Sequence, residues 1–343
     1  MNIYINASNI YIGGGKVILN DLVNCTKYYT NHNFVIYVDP RFKIKDYGQS
    51  NIMFKKIEKH VRFLVCFEIE RKVKVNDIVI YLTNIPPIIK HKCTTVLVQS
   101  NRLVVDSFPL SGFSFKTKSR ISIERLLFWI NKRNADYIVV QSESMASTLR
   151  NKGIIKNKII ELAYCELGYK YEDDNTTLND FNLNDEFLYV GTGEPHKNHK
   201  NLVEAWCLLS AENIYPKLIL TIDKNTDLYK YISRKIVKYG LKIDFKQNLE
   251  RSEILNLYSR VKALIFPSFI ESYGLPLAEA KHYKLPVIAP ELDYVRDIVD
   301  PVETFDPNSA KSISRSVKRF LKINEEKTKI HTPSEFINRI IKL

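Results

Sequence analysis

Short apolar runs rich in β-branched residues alternate with helix-like stretches along this chain, and that alternation restricts the folds open to it. We predict strands at residues 2–6, 34–38, 78–82, 95–99 and 137–141, and in the second half at 187–190, 217–222, 263–266 and 286–289. Predicted helices lie between them, one ending near residue 28 and others at 201–210, 252–259 and 275–282. Strands separated by helices of this length imply βαβ units and parallel sheets. The sequence therefore predicts an α/β fold.

A polar segment at residues 169–185 interrupts the alternation. It holds few apolar residues and several Asp and Asn residues, as linkers do. A chain of 343 residues, 45% of them apolar, is long enough for two domains with substantial cores. We predict doubly wound, Rossmann-like domains at residues 1–168 and 186–329, with the linker between them. A C-terminal helix at 330–343 is expected to pack back on the first domain.

The cysteines and the start of the chain bear on the cellular compartment. Five scattered cysteines without a C-x-x-C pair are typical of buried thiols in a reducing compartment, and not of a disulfide framework or a zinc site. The first residues lack the basic stretch and apolar core of a signal peptide. No apolar run approaches the roughly 20 residues that span a bilayer. These features predict a cytoplasmic protein, free or held at the inner face of the membrane.

The charge is unbalanced, because 51 Lys and Arg residues face 38 Asp and Glu residues and leave a net charge of +13. A basic balance favours anionic partners such as nucleic acid, acidic lipid or phosphorylated ligands, without choosing among them. Residues 116–133 hold six basic residues against one acid, with Trp129 and apolar residues at helical spacing. Such a helix can lie on an anionic membrane. The alternative is an ordinary surface helix with a solvated basic face.

Residues 266–290 form the first group of side chains that suggests chemistry. A predicted strand ends there, and a turn leads into a predicted helix. Backbone N–H groups around Gly274 would point outward at the start of that helix, which favours an anionic ligand at the carboxyl edge of a parallel sheet. Glu271 and Glu279 flank the helix start, and carboxylates accept hydrogen bonds from the hydroxyls of a sugar or a ribose. Either acid alone is equally compatible with a loop acid or a structural hydrogen bond.

A second group follows the first predicted strand of the second domain. Gly191 and Gly193 open a turn, and Lys197 follows where a cation can meet a diphosphate. His196 and His199 add positive charge or hydrogen-bonding capacity. The alternative is a basic surface loop without a ligand.

Three consecutive glycines, Gly13 to Gly15, follow the first predicted strand and suggest either a loop pressed against a ligand or a flexible turn. With Asp39 as a ribose acceptor, they would suit a nicotinamide-dependent oxidoreductase. Two features argue against that alternative: Ile18 stands where the G-x-G-x-x-G pattern needs its third glycine, and six residues separate Asn6 from Gly13.

A non-enzymatic nucleic-acid-binding protein is the other alternative, and only the charge suggests it. No recognised binding module accompanies that charge, and residues 116–133 lack interleaved stacking aromatics. We therefore expect no nucleic-acid partner.

The string from Glu271 to Glu279, Glu-Ser-Tyr-Gly-Leu-Pro-Leu-Ala-Glu, resembles the E-x7-E signature of the retaining glycosyltransferases of family 4, usually E-G-F-G-L-P-x-x-E. Ser272 stands where that signature has glycine, and Tyr273 where it has phenylalanine. Residues 190–200 are similar to the family's V-G-x-x-x-P-x-K-N segment. The resemblance is strong from about residue 186 to 307. It implies the GT-B architecture, in which two doubly wound parallel-sheet (Rossmann-like) domains face a cleft.

The resemblance also implies roles for individual residues. Lys197 matches the lysine that contacts the donor diphosphate, and Glu271 matches the acid near the transferred sugar, so these two are the expected catalytic residues. Glu279 matches the acid that binds the ribose hydroxyls. The other residues expected to bind the donor are Ser272, Tyr273, Gly274, Leu275, Thr192, which stands near where many members have arginine, Gly193 and, from the first domain, Gly14 and Gly15.

Contacts to the acceptor are predicted from polar residues of the first domain. A histidine that this domain of such enzymes often places near the reacting sugar is not evident. Gln99 ends the predicted strand 95–99, and Asn101 and Arg102 follow it, while Asn84 follows the strand before it. These four residues are the candidates for acceptor contact.

The function implied by the resemblance is transfer with retention of anomeric configuration, without a metal ion and without a cofactor. A nucleoside-diphosphate sugar would be the donor substrate. The expected acceptor is a growing bacterial glycan, lipid-linked, such as an O-antigen or capsule precursor. The expected further contact is a peripheral one with an anionic membrane.

Overall fold

The computed structural model describes residues 1–44, 51–162 and 185–324, which form two parallel β-sheets covered by helices. The strands of the first sheet are β1 Asn2–Ala7, β2 Asn33–Val38, β3 Ile52–Lys56, β4 Ile78–Tyr81, β5 Thr94–Val98, β6 Tyr137–Val140 and β7 Ile159–Glu161. The α-helices that accompany it are α1 Gly13–Cys25, α2 Val65–Lys72, α3 Arg102–Val105, α4 Phe115–Asn131 and α5 Glu143–Asn151.

The second sheet is built from the later part of the chain. Its strands are β8 Glu186–Tyr189, β9 Lys217–Leu220, β10 Ile243–Phe245, β11 Ala263–Ile265, β12 Val287–Pro290 and β13 Glu303–Phe305. Its α-helices are α6 His199–Ala211, α7 Asp227–Tyr239, α8 Arg251–Tyr258, α9 Leu275–His282, α10 Asp293–Arg296 and α11 Ala310–Phe320.

Both sheets are doubly wound. The first has the strand order β3-β2-β1-β4-β5-β6-β7 and the second β10-β9-β8-β11-β12-β13. The strand order reverses between β1 and β4 in the first sheet and between β8 and β11 in the second. Loops that leave the carboxyl ends of two such strands diverge and open a crevice, which is where open α/β sheets bind ligands. The fold thus offers one crevice in each sheet.

Alternation of side chains across the first sheet explains how its two faces are covered. Tyr4 belongs to a buried cluster that includes residues of α2, α4 and α5 on one face of the sheet. The next residue, Ile5, belongs to a cluster with Leu19 and Val23 of α1 on the other face. In the second domain a single core joins both faces, and its largest member is Trp206 of α6, whose indole N–H donates to the Pro216 carbonyl at 2.9 Å.

Side-chain caps set where several helices begin. The side chains of Asn101, Ser114, Ser142 and Thr226 accept hydrogen bonds from first-turn N–H groups of α3, α4, α5 and α7. Helix α7 ends at Gly240, whose φ of 62° lies in the left-handed region that favours glycine.

The α/β, doubly wound architecture predicted from the sequence is confirmed. The predicted loop at Gly13 to Gly15 is wrong, because these glycines form the first turn of α1. The strands β3, β7, β10 and β13 and the helices α2, α3, α5, α7, α10 and α11 were not predicted from the sequence. Residues 169–184 of the predicted linker and the predicted C-terminal helix at 330–343 lie outside the described residues, so the domain boundaries stay predictions. Among the described helices, none has the length and apolar character needed to cross a bilayer.

Candidate active site

Lys197 and Glu271 meet at the crevice of the second sheet. Lys197 ends a 3-10 turn, Pro195–Lys197, that follows β8, and Glu271 lies in the turn that follows β11. The Lys197 ammonium donates to both carboxylate oxygens of Glu271, at 2.7 and 2.9 Å. An ammonium group has three donors, so the pair leaves capacity for an arriving phosphate oxygen. The resemblance gave these residues separate roles, and the structure brings them into direct contact.

Buried hydrogen bonds fix the turn that carries Lys197. The Tyr189 hydroxyl donates to the Lys197 carbonyl at 2.7 Å, and the Asn198 amide donates to the carbonyls of Pro267 and Pro307 at 3.0 and 2.7 Å. Asn198 adopts a left-handed φ of 61°, a conformation that asparagine tolerates better than most residues. These bonds tie the lysine turn to the loop that leads to Glu271.

Two glycines let the backbone take the shape that the crevice needs. A Cβ on Gly191 would lie 3.0 Å from the Tyr189 ring, so this ring and a side chain at position 191 exclude each other. Gly274 has a φ of 78° and directly precedes α9. The first N–H groups of a helix have no acceptor within the helix, and they favour an anion at that end. Glycine at this position therefore shapes a helix start that suits phosphate.

Glu279 of α9 lies buried behind this helix start. Its Oε2 accepts a hydrogen bond from the Tyr258 hydroxyl at 2.8 Å, and its Oε1 is 3.5 Å from Nη2 of Arg251. Burial raises the pKa of Glu279 and nearby Asp21 adds to the rise, whereas Tyr258 and Arg251 oppose it. Arg251 also faces Asp21 of α1, with Nη1 3.9 Å from Oδ2. The acid that the resemblance assigns to the ribose is thus linked, through Arg251, to the first domain.

Arg251 and Tyr258 were missed by the sequence analysis. The sequence carried one weak indication of Arg251. It is a cation in the first turn of α8, where the helix dipole disfavours positive charge unless an anionic partner lies nearby. Tyr258 offered none, since its role depends on a contact with a residue 21 positions away.

The two histidines near Lys197 do not add positive charge. Burial lowers the pKa of His196, and the Lys197 charge lowers it further. Burial, with the charges of Lys197 and His196, lowers the pKa of His199 to about 3. Both imidazoles are therefore neutral at physiological pH, so of the two roles suggested for them positive charge is excluded and hydrogen bonding stays a prediction.

The remaining donor-binding candidates lie in the segments after β8 and β11 or in α1. The Thr192 hydroxyl donates to Glu194, and a Cβ on Gly193 would lie 3.3 Å from Leu228. Tyr273 and Leu275 are half-buried around the start of α9. Gly14 and Gly15 lie in the first turn of α1. Gly14 precedes Asp21 by seven residues, two helical turns, so both lie on one side of that helix. That side faces Arg251.

The four candidates for acceptor contact cluster at the carboxyl ends of β4 and β5, as predicted, but each makes hydrogen bonds within the fold. Asn84 accepts from the Ser100 amide and hydroxyl, Gln99 donates to the Asn101 carbonyl, and Asn101 caps α3. The Arg102 guanidinium and backbone amide reach the Glu271–Ser272 turn. Their role in binding an acceptor stays a prediction.

Asp39, the ribose acceptor required by the oxidoreductase alternative, is already occupied. It is buried and accepts a bidentate hydrogen bond from Arg41, at 2.8 Å to each oxygen, and a further one from Arg62. These partners, Arg41 foremost, hold the pKa of Asp39 at about 2. The geometry therefore disfavours Asp39 as a ligand for ribose.

The two doubly wound domains and the crevice define the class: this is the GT-B architecture. Alr3699/HepE from Anabaena, solved in complex with UDP and glucose, has the same fold, with a TM-score of 0.64 at 15% identity over 94% of this chain and 90% of that chain. Residues 177–334 match the family model described as "Glycosyl transferases group 1". Lys197, Glu271 and Glu279 all lie within that match.

Relatives in sequence point the same way over part of the chain. The serotype-specific mannosyltransferase WbdA of Escherichia coli is 31% identical over 157 residues, which are 44% of this chain and 19% of WbdA. The O-antigen chain mannosyltransferase B of Escherichia coli is 30% identical over 140 residues, 39% of this chain and 36% of that protein. The chain thus matches well under half the length of either relative.

Proposed function

We propose that this protein is a glycosyltransferase that moves a sugar from a nucleoside-diphosphate sugar to a glycan acceptor. The observation that carries the proposal is the meeting of Lys197, Glu271 and the start of α9 at the crevice of the second sheet, with Glu279 buried behind them. A cation and a helix start suit a diphosphate, and two carboxylates at separate points suit a ribose and a sugar.

In this proposal the donor lies along the crevice with its ribose at Glu279, its diphosphate between α9 and Lys197, and its sugar beside Glu271. The bond from the anomeric carbon to the phosphate oxygen breaks, and a bond to the acceptor oxygen forms on the same face of the sugar. The donor phosphate takes the acceptor's proton. Lys197 and the α9 N–H groups stabilise the negative charge that develops on the leaving diphosphate.

The proposed reaction uses neither a metal ion nor a cofactor, because Lys197 and the helix start supply positive charge at the diphosphate. The names of the two relatives favour mannose as the transferred sugar and an O-antigen type of glycan as the acceptor. We assign a lipid-linked form of that glycan to this protein, in the cytoplasm at the inner face of the membrane.

Helix α4 supports the membrane part of this proposal. Its outer face carries an apolar stripe, formed by Phe115, Ile123, Leu126 and Ile130, which are 86%, 57%, 60% and 64% exposed. The residues recur at helical spacing, and exposed Lys116, Arg120 and Arg133 flank them. An apolar stripe with cationic flanks complements an anionic lipid surface.

A transfer assay tests the proposed function. We expect the purified protein to transfer mannose from GDP-mannose to a lipid-linked glycan acceptor in the presence of EDTA, giving a product with the donor's anomeric configuration by NMR. Glu271→Gln should lower kcat by about 100-fold or more, the usual effect of removing a positioned group that stabilises the transition state. The exposed Glu58→Gln is the matched control.

Transfer by no member of a panel of GDP-, UDP-, dTDP- and ADP-sugars would contradict the proposal. Transfer that stops in EDTA and returns with a divalent cation would contradict its metal-free form.

A further inference from the structure

The turn that carries Glu271 is held from the first domain. The backbone N–H of Arg102 donates to the Ser272 hydroxyl at 2.8 Å, and Nη1 of Arg102 donates to the Glu271 carbonyl at 3.3 Å. The Ser142 hydroxyl donates to the Ser272 carbonyl at 2.9 Å. Two consecutive residues of the second domain thus receive hydrogen bonds from two separate helix starts of the first, those of α3 and α5.

Arg102 is itself fixed before it reaches across. Its guanidinium donates to Asp106, Ser144 and Thr148 at 3.1, 3.1 and 3.4 Å, and its side chain is only 15% exposed. Arg102 is also the first residue of α3, so its N–H has no acceptor within that helix. The Ser272 hydroxyl supplies the missing acceptor from the other domain.

Apolar contacts surround these hydrogen bonds. Ile270 packs with Leu103, Phe113 and Ile121 of the first domain in one buried cluster. Phe113 also stacks on His196, the neighbour of Lys197, with ring centroids 5.9 Å apart. The first domain therefore packs against the residues next to both members of the Lys197–Glu271 pair.

We infer that Arg102 is a positioning residue: it holds the Glu271–Ser272 turn from the first domain, and the Lys197–Glu271 pair is aligned only while the two domains are docked. The inference rests on the proposed function. Arg102 acts through the Glu271 backbone, so it differs from the acceptor contact predicted for it. A shift of about 1 Å at a catalytic group is enough to cost about 100-fold in rate, and a hydrogen bond at the Glu271 backbone restrains Glu271 from such a shift.

Ser272 makes the inference specific to this chain. The family signature has glycine at this position, and glycine offers no acceptor to the Arg102 amide. Ser272→Gly therefore removes the hydrogen bond of the Arg102 backbone amide, whereas Arg102→Ala removes the guanidinium bond to the Glu271 carbonyl. Because both substitutions release the same turn, their effects on kcat should not add.

The test compares Arg102→Ala, Arg102→Lys, Ser272→Gly and the Arg102→Ala/Ser272→Gly double variant, with the exposed Arg234→Ala as control. We expect Arg102→Ala to lower kcat by about 10- to 100-fold while the Kd for the nucleoside diphosphate changes by less than about twofold. The lysine variant should recover part of the loss, and the double variant should lose no more than the worse single one. Hydrogen exchange of the peptide covering residues 266–276 should be faster in Arg102→Ala than in Arg234→Ala.

Three results would overturn the inference: a kcat for Arg102→Ala within about twofold of the wild-type value, a rise in acceptor KM alone, or unchanged exchange at residues 266–276. The exchange measurement needs no turnover. If the wild-type protein transfers no sugar, the proposed function fails, and exchange still decides whether Arg102 holds the turn.

Discussion

Glu279 combines a carboxylate with a site that disfavours its charge. It is buried, and its pKa is raised mainly by that burial, although Tyr258 and Arg251 compensate in part. A buried charge with incomplete compensation costs stability. Local conflicts of this kind are expected where a side chain serves a ligand. The hydroxyls of a bound ribose would add hydrogen-bond donors to this carboxylate.

The pH dependence of stability tests this view of Glu279. Because its folded-state pKa lies above the ordinary value of 4.5, the folded chain binds the proton more tightly than the unfolded chain does. Stability is therefore lost as pH rises from 4.5 through the folded-state pKa, and the loss is complete above it. We expect Glu279→Gln to unfold at higher urea than the wild type at pH 7.5, with a gap that narrows as the pH falls toward 4.5.

Glu58→Gln, at an exposed position, is the control for the loss of one negative charge. A wild-type protein that is more stable than Glu279→Gln at pH 7.5 would show that the carboxylate is fully compensated in the fold.

At the scale of single residues, the sequence marked the acids and the lysine as candidates but gave no sign of their partners. Glu271, Lys197 and Glu279 belong to motifs of local spacing, and motifs are legible in one sequence. The direct pairing of Lys197 with Glu271 joins residues 74 positions apart, and nothing local to either one indicates it. Burial also decided the charge of His199, and burial is a property of the packed chain.

Among the elements, the start of α9 depends on the backbone at Gly274. Gly274→Ala places a Cβ at a φ of 78° and 3.0 Å from Leu277 Cδ1. We expect it to lower the free energy of unfolding by about 1–2 kcal/mol, the cost of a strained backbone conformation, and to weaken nucleoside-diphosphate binding measured by calorimetry.

Gly153→Ala is the matched control, because Gly153 has a similar φ of 83° and open space around its Cβ position. It should lose comparable stability and keep the affinity for nucleotide. Equal affinities of the two variants for nucleotide would show that the start of α9 is not part of the binding site.

Membrane binding by the outer face of α4 is also tested by substitution with a control variant. Replacing Ile123 and Ile130 with Asp should reduce binding to anionic vesicles in a flotation assay by about tenfold or more, since burial of each such side chain is worth about 1.5–3 kcal/mol. Binding should also weaken as salt rises. Val237→Asp, at an 87% exposed position of α7, is the control. Wild-type protein that stays off the vesicles would refute membrane docking through α4.

Helices and strands with a strong local sequence pattern were predicted more accurately than those with a weak one. The predicted bounds of α9 match the structure, because a proline-containing helix start and a following turn mark both ends. Strands β7 and β10 have three residues each, too few to display a period of two. The start of α1 was misplaced because three glycines favour a loop by propensity, and packing of the apolar face of the helix outweighs that preference.

In the whole molecule, contacts between the domains connect the crevices of the two sheets. Arg102, Ser142 and Phe113 of the first domain contact the second domain. Arg251 of the second domain faces Asp21 of the first. Doubly wound sheets were predictable, since the alternation of strands and helices runs through the chain. The joining of the domains was not, because it depends on hydrogen bonds between residues about 170 positions apart, such as Arg102 and Ser272. Such contacts leave no periodic trace in a single sequence.

Calorimetric titration decides whether the crevice beside Lys197 and α9 binds a nucleoside diphosphate. We expect the wild-type protein to bind one of GDP, UDP, dTDP and ADP. Lys197→Ala and Glu279→Gln should each weaken that binding by about 1.5–3 kcal/mol, the range for hydrogen bonds to charged groups, while Arg234→Ala binds as the wild type does. Of these variants, only Glu279→Gln should also weaken binding of the same nucleoside without its diphosphate. A wild-type protein that binds none of the four, or variants that both bind as tightly as the wild type, would contradict the account.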